Sequence, residues 1–314
     1  MTPPALRTRA PAKLNLTLEV LGRRDDGYHD LVSVVQTVDL CDTITIVSAP
    51  DRGLRFRGQT GACPPLAPPA EGELITRTWD LLIELYGDDV DQRAAVDVVK
   101  RIPIAAGFGG GSSNAAAFLR LARVFWNLPL GDDDCIDLLA EIGSDAPLFH
   151  VAGAVFMEGR GERLTPLPDQ EATAWSAALW TPELPLPERK TAAMFSALRP
   201  PHFVAGDRSR ALAARLQQGL PPRSEDCINT FDRVADEMLV GLRDARRRFA
   251  TATRAVPQLA GAGPSLFVLD PVQAVNLAHA SGTTVVRPLP RSACVVEEAT
   301  EELASEVERA RSDV

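Results

Sequence analysis

The sequence predicts a two-domain α+β protein, and three observations lead to this expectation. The chain has 314 residues, which is enough for two domains of ordinary size. Period-two hydrophobic patterns open the chain, and helical patterns mixed with short strand patterns follow. Two proline-rich stretches, GRGERLTPLPDQ and TPELPLPERK, separate a first half from a second. We therefore place the domain boundary near residue 165 and expect domains at 1–165 and 166–314.

The first elements are predicted to be β-strands. Leu14, Leu16, Leu18 and Val20 alternate with polar residues, which is typical of a strand with one buried face. Two further strand patterns follow at 31–40 and 43–47. The polar segment 22–30 between them is too long for a tight hairpin turn, so we expect an exposed loop there.

The middle of the chain predicts an alternation of irregular, helical and extended segments. Residues 51–72 are rich in proline and glycine and are expected to be irregular. Hydrophobic residues at helical spacing predict helices at 74–86, 115–126 and 133–142, the last of them ended by Gly143. Strand patterns predict extended segments at 96–103 and 154–157.

The second half predicts helices at 206–219 and 231–249 and short strands at 266–270 and 283–286. The last segment, EEATEELASEVERARSDV, has an acidic amphipathic pattern that fits a terminal helix or a frayed tail.

Composition and charge exclude several classes of protein. Hydrophobic residues make up 45% and charged residues 24%, as in globular proteins. A net charge of −9 removes any general electrostatic reason to bind nucleic acid or an anionic membrane. The five cysteines, which are Cys41, Cys63, Cys135, Cys227 and Cys294, form no metal-binding or disulfide pattern. With no signal peptide or membrane-spanning run, we expect a cytoplasmic protein.

A glycine-rich segment, PIAAGFGGGSSNA at 103–115, carries the first functional signal. Gly107, Gly109, Gly110 and Gly111 can adopt positive φ angles and bring backbone N–H groups close to a ligand. The segment leads into a predicted helix, whose first N–H groups and dipole favour an anion. We therefore expect a phosphate cradle here, with a tight turn that binds no ligand as the alternative.

Two common nucleotide motifs do not match this segment. A P-loop needs a lysine after its last glycine, and none follows here. The dinucleotide fingerprint needs a glycine where this chain has Ser112, and no acidic ribose partner is evident. A nucleophilic serine is also disfavoured, because the flanking glycine pattern is absent.

The segment resembles the second motif of the GHMP kinases, the family that includes galactokinase and the homoserine, mevalonate and phosphomevalonate kinases. Their glycine loop wraps the phosphates of ATP without a P-loop lysine. Further stretches resemble one branch of this family, namely PAKLNLTLEVLGRRDDGYHDLVSVVQTVDLCDTITI, GSDAPLF, GRGERLTPL, KTAAMF and GAGPSLF, in the family's order between residues 11 and 269. The resemblance implies a ribosomal protein S5 domain 2-like N-terminal domain, a ferredoxin-like C-terminal domain and an active site between them.

The same resemblance implies ATP-dependent phosphorylation of the 2-hydroxyl of 4-diphosphocytidyl-2-C-methyl-D-erythritol, a cytidyl diphosphate sugar alcohol of the non-mevalonate isoprenoid pathway. It also implies Mg²⁺, whose ligands stay open, with Ser112 and Ser113 as candidates. The alternatives are a GHMP kinase of the homoserine or mevalonate type and a non-catalytic nucleotide-binding regulator. No nucleic acid or membrane partner is expected, and the protein is expected to be a monomer or homodimer.

Two residues match the family's catalytic positions. Asp145, in GSDAPLF, corresponds to the proposed general base, and its alternative role is that of a turn or capping residue. Lys13 corresponds to a cation that steadies Asp145 and the developing charge, the alternative being a surface lysine. Whether Asp145 abstracts the proton or only orients the hydroxyl is left open, because a loose transition state needs little base assistance.

The resemblance assigns two binding sets. The ATP-binding set is Lys100, Pro103, Gly107, Gly109, Gly110, Gly111, Ser112, Ser113 and Asn114. The chain has Phe108 where the family usually has Leu, and Glu73 where an Asn commonly contacts adenine. Since a carboxylate cannot donate a hydrogen bond, adenine recognition is left open.

The substrate-binding set is Asn15, Tyr28, His29, Asp145, Phe195, Gly261 and Gly263. In the family an aromatic pair, here Tyr28 and Phe195, sandwiches the cytosine, and His29 bonds its polar edge. A packing role is the alternative for each aromatic residue taken alone.

Overall fold

A computed structural model describes residues 5–58, 72–269 and 283–299. In this part of the chain two β-sheets are packed with helices, so the predicted α+β class is confirmed. The strands are β1 (Leu6–Arg23), β2 (His29–Ser48), β3 (Gly53–Gly58), β4 (Ala94–Lys100), β5 (Ala154–Gly159), β6 (Arg163–Pro166), β7 (Ala177–Trp180), β8 (Ile228–Asn229), β9 (Gln258–Leu259), β10 (Leu266–Leu269), β11 (Thr283–Val286) and β12 (Glu297–Glu298). The helices are α1 (Gly72–Tyr86), α2 (Gly110–Phe125), α3 (Asp132–Ile142), α4 (Ala146–Val151), α5 (Lys190–Ala197), α6 (Asp207–Gln217), α7 (Asp232–Met238) and α8 (Leu242–Thr253).

The larger sheet is built around the antiparallel pair β1 and β2. Its main order is β12-β1-β2-β4-β3, while β5 pairs with β2 and β6, and β8 pairs with β1. β2 is 20 residues long and carries β5 along 31–36 and β4 along 43–48. The two predicted strand patterns at 31–40 and 43–47 are therefore one continuous strand. The pairing of β2 with β1 is irregular between Pro11 and Ala12, where residues 39–40 of β2 have no partner on β1.

Helices α1 to α4 cover one face of this sheet, and their contact with it forms a hydrophobic core. Trp79, Phe118 and Phe149 are fully buried there, and the rings of Trp79 and Phe118 lie 5.2 Å apart. Burial of each such side chain contributes about 1.5–3 kcal/mol relative to exposure. This core fixes the helix α2 that follows the glycine segment.

The smaller sheet is antiparallel, with the order β11-β7-β10-β9. Its strands lie between residues 177 and 286, but β8 and β12 return to the larger sheet and pair with β1. A second core joins Leu18 and Val20 of β1 to Phe231, Val234 and Leu259. The boundary near residue 165 stays a prediction, and the parts on either side of it share this core.

The predicted loop between the first two strands is wrong in extent. The loop expected over 22–30 is only the connection 24–28, because β1 continues to Arg23, which pairs with His29. The Arg24 guanidinium bonds the carboxylates of Asp26 and Asp30, and Gly27 turns the chain with a φ of 86°. These local contacts stabilise the turn, so β1 and β2 stay paired up to Arg23 and His29 although the sequence is polar.

Other boundaries also differ from the prediction. Within the irregular stretch expected at 51–72, residues 53–58 form β3, which pairs in parallel with β4. The helix expected over 231–249 is two helices, α7 and α8, separated near Gly241, whose φ is 90°. Helix α2 was expected to begin at 115 but begins at Gly110, and its first two residues are glycines. The predicted helices at 74–86, 133–142 and 206–219 and the strands near 96, 154, 266 and 283 are confirmed within a few residues.

Some expectations fall outside the described residues, namely Cys63, the segment 59–71 and the end of the acidic tail at 300–314. The side chain of Glu73 is also not described, so adenine recognition stays open. Among the described helices, none has the length and apolar character needed to cross a membrane.

Candidate active site

The glycine segment lies between the end of β4 and the start of α2, and hydrogen bonds hold it at both sides. The carboxylate of Asp42, fully buried on β2, accepts from the backbone N–H groups of Arg101 at 2.7 Å and Ile102 at 2.9 Å. Further along, the backbone N–H of Lys13 on β1 donates to the carbonyl of Phe108 at 3.0 Å. The segment is therefore fixed to the larger sheet.

Two glycines in the segment occupy positions where a side chain would not fit. Gly107 has a φ of 97°, and a Cβ there would collide with the backbone carbonyl of Ala260. Gly109 has a φ of 74°, and a Cβ there would lie 2.6 Å from the Phe149 ring. The glycines thus allow both positive φ angles and close approach to the neighbouring chain.

Helix α2 begins directly at Gly110, with Gly109 as its N-cap. The first N–H groups of a helix have no acceptor within the helix, and together with the dipole they favour an anion. Gly110, Gly111 and Ser112 supply these groups and also line the cleft described below. This geometry suits phosphate oxygens.

Lys13 and Asp145 lie next to this segment and contact each other. The Nζ of Lys13 is 3.6 Å from Oδ2 of Asp145, and the two side chains are 8% and 43% exposed. The same Nζ donates to Oδ1 of Asn15 at 2.6 Å, and Nδ2 of Asn15 donates to Oγ of Ser33 at 2.9 Å. A buried ammonium is therefore held in place by a polar neighbour and faces a carboxylate that solvent and ligand can reach.

The three predicted nucleoside-binding residues cluster at the other end of the cleft. His29 stacks on Phe195 with ring centroids 5.1 Å apart, and Tyr28 is 53% exposed. The guanidinium of Arg160 lies 4.8 Å from the centre of the Tyr28 ring. In this structure Phe195 is stacked on His29 itself, whereas the sequence resemblance placed Phe195 opposite Tyr28.

The imidazole of His29 has a perturbed acidity. Burial, and to a smaller extent the positive charge of Arg23, lowers the pKa of His29 below its usual value. This shift favours the neutral imidazole, in which one ring nitrogen accepts a hydrogen bond and the other donates one.

A single cleft of about 980 Å³ connects these groups. The predicted site residues that line it are Lys13, Asn15, Tyr28, His29, Pro103, Gly107, Gly109, Gly110, Gly111, Ser112, Asp145, Phe195 and Gly261. Four predicted residues do not line it, namely Lys100, Ser113, Asn114 and Gly263.

Those four residues lie beneath or behind the surface of the cleft. Lys100 is buried and donates from Nζ to Oδ2 of Asp42 at 2.6 Å, so it supports the glycine segment from below. The side chains of Ser113 and Asn114 are fully buried within α2. The carbonyl of Gly263 accepts a hydrogen bond from Lys190, which does line the cleft.

The cleft also contains cations that the sequence analysis did not assign. They are Arg23, Arg160, Arg189, Lys190 and Arg199. Signals for some of them were present, since Arg160 lies in GRGERLTPL and Lys190 opens KTAAMF. A chain with a net charge of −9 thus forms a locally cationic cleft, which favours an anionic ligand.

The chain is similar in sequence and in fold to the GHMP kinases. The family described as the GHMP kinases N terminal domain matches residues 73–154. A homoserine kinase from Cytophaga hutchinsonii has the same fold, with a TM-score of 0.64 at 15% identity over 93% of this chain and 97% of that one. The expected GHMP kinase architecture is therefore confirmed.

Closer relatives identify the branch. A 4-diphosphocytidyl-2-C-methyl-D-erythritol kinase from Dehalococcoides mccartyi is 38% identical over 83% of this chain and 87% of its own length. The Thermotoga maritima kinase of the same name is 34% identical over 86% and 94%. A crystal structure of a 4-(cytidine 5'-diphospho)-2C-methyl-D-erythritol kinase matches with a TM-score of 0.70 at 27% identity, over 89% of this chain and 98% of that one. The chain belongs to the 4-diphosphocytidyl-2-C-methyl-D-erythritol kinase family and is an enzyme.

Proposed function

We propose that this kinase transfers the γ-phosphate of ATP to the 2-hydroxyl of 4-diphosphocytidyl-2-C-methyl-D-erythritol. The observation that carries the proposal is the contact between Lys13 and Asp145 beside the glycine segment, in the same cleft as Tyr28, His29 and Phe195. A phosphoryl-transfer site needs an anion cradle, a positioned acceptor and stabilisation of the transferring oxygens. All three functions have candidate residues here.

The proposed reaction places Asp145 at the acceptor hydroxyl. The hydroxyl oxygen forms a bond to the γ-phosphorus, the bond from that phosphorus to the bridging oxygen of ADP breaks, and the hydroxyl proton passes to the Asp145 carboxylate. The ammonium of Lys13 stabilises negative charge that develops on the transferring oxygens. Its hydrogen bond to Asn15 keeps it in place, so little reorganisation is needed during the reaction.

The glycine segment fits the phosphates of the nucleotide. A Cβ at Gly107 or Gly109 would collide with neighbouring atoms, so this backbone keeps a shape that only glycine allows. Mg²⁺, when bound, neutralises charge on the β- and γ-phosphate oxygens. Among the described residues no cluster of three or more carboxylate, histidine or cysteine side chains could hold a metal ion, and Ser112, which lines the cleft, is a candidate ligand for the ion beside the phosphates.

The aromatic end of the cleft supports a cytidyl substrate. An exposed Tyr28 ring offers a face for stacking on a base, and a neutral His29 can both donate and accept at its polar edge. Stacking contributes about 1–3 kcal/mol per base. Arg23 and Arg160 add positive charge to the same cleft, which suits a diphosphate.

The proposal is tested by measuring ADP release in a coupled assay with three acceptors, the cytidyl substrate, homoserine and mevalonate. Turnover with the cytidyl substrate alone supports the proposal. Turnover with homoserine or mevalonate instead would support a kinase with another acceptor. Nucleotide binding without turnover of any acceptor would support a regulator. The oligomeric state stays a prediction, and size-exclusion chromatography with light scattering would measure it.

A further inference from the structure

Lysine is rare in this chain, and its positions are informative. Only Lys13, Lys100 and Lys190 are lysines among the 33 lysine and arginine residues. Lys13 contacts Asp145, and Nζ of Lys100 lies 3.3 Å from the position that a Cβ on Gly110 would take. Lys190 lines the same cleft. All three ammonium groups are therefore placed around the glycine segment, and the other cations of the cleft are arginines.

Lys190 connects two segments that are far apart in the sequence. Its Nζ donates to the carbonyl of Ala105 at 2.7 Å and to the carbonyl of Gly263. Ala105 belongs to the glycine segment and has a φ of 55°, which a residue with a side chain adopts only at a cost. Gly263 belongs to the turn GAGPS, which contacts Gly107 from the other side. The ammonium of Lys190 thus bonds both the glycine segment and the GAGPS turn.

The chemistry of these contacts requires a compact cation. An ammonium is a point charge with three donors, and it can bond two converging carbonyls, whereas a guanidinium presents its donors in a wide planar fork. In the described part of the chain Lys190 forms no ion pair with a carboxylate. Its positive charge is therefore balanced only by carbonyl dipoles until an anion enters the cleft.

We propose that Lys190 is a positioning residue of the phosphate site, whose ammonium keeps the glycine segment and the GAGPS turn in the arrangement that binds the nucleotide. The proposal rests on the proposed function only in assuming that ATP binds in this cleft. It assigns Lys190 to the shape of the cradle rather than to the transfer step.

The surroundings of Lys190 make this role sensitive to pH. Burial, and secondarily the charge of Lys13, lowers the pKa of Lys190 to about 8. The charged groups near it are Lys13 on β1, with Asp145 behind Lys13, and Arg189 on its own segment; the glycine segment and the turn supply carbonyls. Deprotonation reduces the charge on the donor, so nucleotide affinity should fall as the pH rises through about 8.

The experiment measures binding of a non-hydrolysable ATP analogue by calorimetry to the wild type, Lys190→Met, Lys190→Arg and the control Arg208→Met. Arg208 is exposed on α6 and lies outside the cleft. Hydrogen bonds from a charged donor are worth about 1.5–3 kcal/mol each, so Lys190→Met should bind about 10-fold to 100-fold more weakly at neutral pH, with the control unchanged. Thermal melting of each variant shows whether it is folded.

The pH profile separates positioning from general stability. The wild type should lose affinity through about pH 8, and this inflection should be absent from both Lys190 variants, because neither side chain titrates there. Equal affinity of Lys190→Met and the wild type, or the same profile in all proteins, overturns the proposal. If Lys190→Met is unfolded, the profile of Lys190→Arg decides. Nucleotide binding can be measured without an acceptor. Failure to phosphorylate the cytidyl substrate would therefore refute the proposed function without affecting the conclusion about Lys190.

Discussion

Lys13 is the residue that joins the parts of the site. Its backbone N–H holds the glycine segment through Phe108, and its ammonium contacts both Asn15 and Asp145. Lys13 and Asp145 were predicted from family motifs, and residue type alone would have made a surface lysine and a turn aspartate the more ordinary interpretation. Only the fold shows that β1 and the start of α4 bring the two charges within 3.6 Å.

At this scale, the first prediction concerns Asp145. Asp145→Asn keeps the shape of the side chain but removes its ability to accept the hydroxyl proton. A general base contributes about 10²–10⁴-fold to rate, so kcat should fall by at least about 100-fold. The Kd of a non-hydrolysable ATP analogue should change little. Unchanged kcat would show that Asp145 does not take part in the transfer step.

The second prediction concerns Tyr28, whose ring is half exposed in the cleft. Tyr28→Ala removes a stacking surface worth about 1–3 kcal/mol, so the KM of the cytidyl substrate should rise by about 5-fold to 150-fold. Tyr28→Phe keeps the ring and should stay close to the wild type. The KM of ATP should be the same in all three proteins, and a parallel rise in it would point to a general distortion of the cleft instead.

Other residues could not be placed from the sequence. Lys100 matches a lysine of the family's nucleotide site, but here it pairs with Asp42, a fully buried residue whose partner no local pattern reveals. Lys190 opens a family motif, yet its two carbonyl partners come from distant segments. A pattern reports residue type and local period, whereas these contacts depend on how distant strands and turns meet.

At the scale of elements, the glycine segment and α2 form one unit. The expected start of the helix at 115 was wrong because glycine is the poorest helix former apart from proline. Contacts with Phe149 and with Lys13 override this preference and start the helix at Gly110. The cost of ordering glycine is balanced by packing, and the exposed N–H groups of the first turn are placed in the cleft.

The third prediction tests this unit with two glycines of nearly equal φ. Gly109 has a φ of 74° and is close to the buried Phe149 ring, while Gly219 has a φ of 73° and nothing within 4 Å of its added Cβ. Both alanine variants should lose about 1–2 kcal/mol of unfolding free energy through the left-handed conformation. Gly109→Ala should lose about 1–3 kcal/mol more through overpacking and should also bind ATP more weakly.

Denaturant unfolding monitored by circular dichroism measures these differences, and calorimetry measures nucleotide binding. Gly219→Ala should bind the nucleotide as the wild type does, because its turn lies outside the cleft. Equal stability and equal affinity of the two variants would show that the contact with Phe149 is not a constraint on the cradle.

The remaining differences between expectation and fold also arise from tertiary pairing. β3 contains Gly53 and Arg57 and has little strand pattern, yet it is extended because it pairs with β4, where Asp97 bonds the guanidinium groups of Arg55 and Arg57. The break between α7 and α8 falls near Gly241, which the helical period alone did not reveal. The helices at 74–86, 133–142 and 206–219 were predicted within a few residues, whereas elements that depend on a partner were not.

At the scale of the whole molecule, positive charge is concentrated in the cleft, and both halves of the chain contribute to the cleft lining. A chain with a net charge of −9 concentrates cations along the cleft, so the enzyme can attract anionic ligands without being basic overall. The cleft is lined by residues from both sides of the predicted boundary near 165, including Lys13 and Asp145 from one side and Lys190 and Phe231 from the other. The site therefore depends on the two parts packing together.

The last prediction follows from the core that these parts share. Leu18 and Val20 of β1 are buried against Phe231, Val234 and Leu259, and β8 adds backbone pairing to β1.

A fragment of residues 1–165 would expose this apolar face and lose the parallel pairing, so it should bind the dye ANS and unfold without a cooperative transition, as loosely packed states do. The full chain should unfold in one transition without binding ANS, and adding residues 166–314 to the fragment should suppress ANS fluorescence. A fragment with a sharp transition and no ANS binding would instead establish the first part as an independently folding domain. In that case the shared core would be an interface between two independently folded domains, and the first part would not need it in order to fold.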